Sequence, residues 1–160
     1  MKYLSLGLVF AGLFFSPLSH AAETHLPWGG ASEINQVYSK QKVVLDTTSA
    51  TVEGLTSILD RASFMSQLNG ADPFETKIVI MLHGGAIPFF ASKNYAKNKE
   101  LMVRAQSLSV GDVVEFRMCK ASAKLQGYKP NDIHGFIKMV PMADAEIVRL
   151  QQEEGFAYMR

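Results

Sequence analysis

The chain has 160 residues, 16 basic against 15 acidic side chains, and a single cysteine. One cysteine excludes an intramolecular disulfide framework, and near-neutral charge without a strong Lys/Arg cluster excludes nucleic acid as a natural partner. The length accommodates one domain with a full core.

The first residues have the layout of a secretory signal. Lys2 precedes an apolar stretch from Leu4 to Phe15, Pro17 breaks it, and Ser19-His20-Ala21-Ala22 supplies small residues for cleavage. We expect a signal peptide over residues 1–21 and a periplasmic mature protein beginning at residue 22. The apolar stretch is shorter than the ~20 residues of a membrane-spanning helix, so no membrane association is expected once the signal is removed. Loss of Lys2 leaves equal numbers of acidic and basic groups.

Residues 22–39 mix Pro27, Gly29, Gly30 and Asn35 with scattered apolar residues and read as an irregular arm. A single domain is expected over residues 40–160. Val43-Val44-Leu45-Asp46 is a short buried-strand pattern, and from Thr51 the apolar residues Leu55, Ile58, Leu59, Ala62, Met65 and Leu68 recur at helical spacing until Asn69-Gly70. Lys77 to Leu82 is a continuous apolar run of the kind found inside parallel sheets, and it ends on His83-Gly84-Gly85. An aromatic and then basic segment, Ala86 to Lys97, leads to a helix pattern over Asn98 to Leu108, stopped by Gly111.

A third strand pattern, Val113 to Met118, meets Cys119 and a short helix to Gln126, with Gly127 as its stop. Pro130-Asn131-Asp132 marks a turn, Gly135 to Val140 a fourth strand, Ala143 to Glu154 the last helix and Phe156 to Met159 a terminal strand. Alternation of strand and helix predicts a three-layer α/β/α domain with a mostly parallel five-stranded sheet.

Ligands of open α/β sheets gather at the C-terminal strand ends. Asp46-Thr47-Thr48, His83-Gly84-Gly85 and Cys119 all fall there. Cys119 stands at a strand-to-helix junction, where free N–H groups favour a thiolate, and Lys120 adds positive charge. His83 is the candidate proton carrier if its strand neighbours that of Cys119. The candidate catalytic residues are therefore Cys119 and His83, and the candidate substrate-binding residues are Gly84, Gly85 and Lys120. No phosphate-binding glycine pattern surrounds Gly84-Gly85, and a tight turn with close packing is their competing role. Lys93, Lys97, Lys99 and Arg104 read more readily as a solvated face than as an anion site.

Two alternatives stay open for the thiol. A lone cysteine is often a buried, inert core residue, which would make the protein an oligomeric small-ligand-binding module. A soft-metal site for copper would need Met118, Cys119 and His83 to converge. No zinc or hydrolase motif is present, and no cofactor or resident metal is expected.

The run Phe116-Arg117-Met118-Cys119-Lys120-Ala121-Ser122-Ala123-Lys124-Leu125-Gln126-Gly127 resembles the cysteine segment of the DsrE/DsrF-like sulfur-relay family. Ile147 to Tyr158 is similar to the ending of that family's exported branch, and the strand Ile78 to Gly84 with its His-Gly end also fits. The resemblance spans about residues 40 to 160. It implies a trimeric or hexameric homo-oligomer in which Cys119 accepts sulfur as a persulfide and passes it on, with a sulfur donor or acceptor protein, or a small sulfur compound, as partner.

Overall fold

The computed structural model describes residues 27–160; the signal segment read from the sequence lies outside them. Gln36–Arg160 forms one compact unit, and residues 27–35 belong to another. The arm as described carries no helix or strand before Gln41.

The first strand, β1, covers Gln41–Thr47 and passes through a short loop into α1, Val52–Leu68. Thr51 caps that helix, its side-chain oxygen accepting the Gly54 N–H at 3.1 Å, which satisfies one of the free N–H groups of the first turn. The second strand, β2, is Thr76–Leu82. A 3-10 segment over Gly84–Phe90 and a further turn at Ser92–Asn94 lead to α2, Lys99–Leu108. Then follow β3 (Val114–Cys119), α3 (Lys120–Leu125), β4 (Ile137–Val140), α4 (Ala143–Glu154) and β5 (Ala157–Met159).

The five strands run in the order β4-β3-β2-β1-β5 and every pairing is parallel. The expected architecture is thus met, with no antiparallel pair inside the sheet. Each of the first three crossovers returns the chain to an adjacent strand, whereas α4 carries it from the β4 edge to the opposite edge, where β5 joins β1.

Side chains alternate between the two faces of each strand, so one strand feeds two cores. On one face Leu45, Ile80, Leu82, Phe116 and Met118 pack with Leu55, Leu59, Met102 and Ala105 of α1 and α2. On the other, Val44, Val79, Met81, Cys119 and Val140 pack with Ala143, Ile147 and Leu150 of α4 and with Phe156. Helices therefore cover both faces, the normal way to bury a parallel sheet. An ion-pair network fastens α4 to its face: Arg117 of β3 pairs with both Glu115 and Glu146, and Glu146 with Arg149.

Candidate functional site

The C-terminal ends of β3, β2, β1 and β5 bring four titratable side chains onto the α4 face of the sheet. Leu82 and Met118 are register partners across β2 and β3, so His83 and Cys119 occupy the next rung of the same ladder. His83 keeps extended geometry (φ −152°, ψ −179°), and its N–H bonds the Thr47 carbonyl at 3.2 Å, which continues the β1–β2 ladder one residue beyond the strand. Its imidazole leans toward β1, where Nε2 lies 2.7 Å from Asp46 Oδ1. The other oxygen, Oδ2, accepts the Tyr158 hydroxyl at 3.0 Å from β5. Thiol, imidazole, carboxylate and phenol thus stand in one row across four adjacent strands.

Cys119 is the last residue of β3 and the cap of α3. Its Sγ accepts the Ser122 N–H at 3.3 Å. The residue is 5% exposed. The strand-to-helix junction carrying it is braced on both sides. Gly84 donates its N–H to Ser122 Oγ at 3.0 Å and accepts the Gln126 side-chain amide at 2.8 Å, while Ala121 donates to the Pro141 carbonyl at 3.2 Å. The start of α3 is therefore held to the histidine turn and to the exit of β4 by hydrogen bonds that do not use the thiol.

The sequence candidates fall into distinct roles. Cys119 and His83 share the rim as expected, yet the hydrogen bond of His83 goes to Asp46 and that of Cys119 to Ser122. Gly84 takes φ +54°, a backbone state that favours glycine, and its peptide groups bond α3. A Cβ on Gly85 would sit 2.7 Å from Ala50 Cβ and 2.9 Å from the Thr48 carbonyl. These glycines serve the turn and its packing on the β1–α1 loop. Lys120 is exposed at the start of α3.

Met118 and Cys119, as consecutive strand residues, face opposite sides of the sheet, Met118 into the α1/α2 core and Cys119 into the α4 core. The copper ligand set of Met118, Cys119 and His83 therefore does not converge. Among the described residues no group of three or more His, Cys, Asp or Glu side chains is placed to hold a metal ion, and no helix is long and apolar enough to cross a membrane.

Asp46 was visible in the sequence only as a polar residue at a strand end, and Tyr158 gave no functional signal. Asp46 is 8% exposed on a face where its strand neighbour Val44 is core. A buried carboxylate on an otherwise apolar strand is the signal that would have marked it, because such a group is costly without specific partners. Burial and the Asp46 hydrogen bond hold the Tyr158 phenol above the ordinary tyrosine range.

No protein-family model and no curated protein sequence matches the chain. Among solved structures it is similar to MTH1491, a protein of unknown function from Methanobacterium thermoautotrophicum, with 19% identity and a TM-score of 0.60. The match covers 76% of this chain and 99% of that one. This likeness establishes the three-layer α/β fold.

Proposed function

We propose that the protein is an exported sulfur carrier of the DsrE/DsrF-like kind, acting through a persulfide on Cys119. The observation that carries this reading is the rim itself: the only thiol accepts a backbone N–H and stands level, on the adjacent strand end, with an imidazole held by a carboxylate. A thiolate so placed is suited to attack a sulfane sulfur. With thiosulfate as donor, a bond forms between Sγ and the sulfane sulfur, the donor S–S bond breaks, and sulfite leaves with the electron pair. An acceptor thiolate then attacks the outer sulfur, and Cys119 departs as thiolate. Neither step calls for an external oxidant. The signal-like first segment supports a periplasmic address, and the sequence resemblance supports a trimer or hexamer.

Mass spectrometry after incubation with thiosulfate or polysulfide tests the reading. One added sulfur on the wild type and none on Cys119→Ser is the expected result; equal labelling of both, or none on either, overturns it.

A second reading is favoured by the packing of Cys119 among Val44, Met81, Val140 and Ile147. In it the thiol is a structural core group of an oligomeric ligand-binding module. Native Cys119 would then resist alkylation until the protein unfolds, and Cys119→Ser would lower thermal stability without altering ligand binding.

A further inference from the structure

We propose that Asp46 is a positioning residue for the thiol chemistry: it holds His83 with Nε2–H toward β1, so that Nδ1 is left as the base for the proton of Cys119. The inference rests on Cys119 being a reactive thiol, but it assigns work to two residues, Asp46 and Tyr158, that the sulfur-carrier reading leaves idle.

The geometry supports it in three ways. The carboxylate is nine-tenths buried, and both of its oxygens are occupied by side chains from different strands, His83 at 2.7 Å and Tyr158 at 3.0 Å. With two donors converging on it, Asp46 cannot turn away from the imidazole without losing both bonds. In neutral imidazole one nitrogen carries hydrogen and the other a lone pair. Donation from Nε2 to Asp46 therefore makes Nδ1 the acceptor. Nδ1 has no hydrogen-bond partner among the described residues, and the His83 side chain keeps 22% exposure. Finally, His83 and Cys119 each stand one residue beyond the Leu82–Met118 register pair, on the same sheet face and on adjacent strands about 5 Å apart.

The step balances within these groups. The S–H bond of Cys119 breaks, its electron pair stays on Sγ, and the proton goes to Nδ1 of His83. The resulting imidazolium lies against the Asp46 carboxylate, as in other carboxylate–histidine–nucleophile arrangements. Tyr158 fixes the carboxylate from the β5 side. The other charges near this row are Lys120 at the start of α3, and Asp144 of α4 and Arg160, which both act on the Tyr158 phenol.

Two measurements test the assignment. Nitrogen-15 spectra of the folded wild type report the His83 tautomer directly, and the Nε2–H form is expected; the Nδ1–H form overturns the proposal. Iodoacetamide labelling of Cys119 against pH should show Asp46→Asn slower near neutrality by roughly tenfold or more, with its rise moved to more alkaline pH. Tyr158→Phe should move the profile in the same direction by less. A folded Asp46→Asn protein whose profile superimposes on the wild type overturns the proposal, and the tautomer measurement decides it alone if that variant does not fold. Failure of sulfur loading in a wild type with the expected labelling profile overturns the carrier reading and leaves this assignment standing. Loading with an unchanged profile does the reverse.

Discussion

The hydroxyl of Tyr158 donates to Asp46 Oδ2 at 3.0 Å, so the last strand of the chain is tied by a side chain to the end of the first. β5 has only three residues and all are exposed, and apart from its ladder with β1 this is the polar bond that anchors it. Tyr158→Phe leaves one oxygen of a buried carboxylate without its donor. It is expected to lower stability by up to about 1 kcal/mol in urea unfolding, part of the bond being open to water.

The same bond has an alkaline signature. Burial and Asp46 raise the phenol above its unfolded value of ~10, so the associated stability is present below that pH and is lost as the pH rises through the folded value. Ultraviolet titration should show a late-ionising tyrosine that is absent from Tyr158→Phe and that ionises earlier in Asp46→Asn.

At the acid end the ion-pair network under α4 is decisive. Burial alone would raise the Glu115 carboxyl, but hydrogen bonds from Lys138 and Arg117 outweigh it and the group lies below the usual range. Arg149 chiefly holds Glu146 low, against burial and with help from Arg117. Both carboxylates therefore add stability above the ordinary carboxylate range, and that contribution disappears as the pH falls through their lowered values. Arg117→Met should flatten the acid limb of a plot of melting temperature against pH. An unchanged limb would show that the network does not govern acid unfolding.

Gly85→Ala tests the turn that carries His83. The added methyl meets Ala50 Cβ at 2.7 Å and the Thr48 carbonyl at 2.9 Å, and the second of these is backbone that cannot rotate away. A loss of about 1–3 kcal/mol is expected, read as a lower denaturant midpoint. Gly127→Ala makes a useful comparison: it meets no neighbouring atom within 4 Å but stands at φ +80°, so its cost is conformational alone and smaller.

Ser122→Ala separates bracing from chemistry. It removes the acceptor of the Gly84 N–H while leaving the Ser122 N–H that bonds Sγ in place. Stability should fall by about 1 kcal/mol, with the pH profile of Cys119 labelling retained. A displaced profile would mean that the hydroxyl, and not only the backbone, governs the thiol.

Much of the fold was legible because local rules suffice for it. The run Lys77 to Leu82 is apolar without a break, as a strand buried on both faces must be, and it forms the centre of the sheet. The helical spacing from Leu55 to Leu68, and the stop at Gly127 with φ +80°, likewise marked their elements to within a residue or two. Cys119 at a strand end and His83 before two glycines could be singled out for the same reason. What no spacing contains is strand order. Only the crossover of α4 to the far edge puts β5 beside β1, and only then does Tyr158, remote in sequence, reach Asp46. The period of two within a strand decided that Met118 and Cys119 part company, but which core each enters depended on where the helices lie. Hydrophobic periodicity and turn chemistry thus marked the elements and the two candidate side chains, Cys119 and His83, from chain order. The tertiary structure alone decided their neighbours, because hydrogen bonds such as that from His83 to Asp46 join residues that chain order keeps apart and sheet topology brings together.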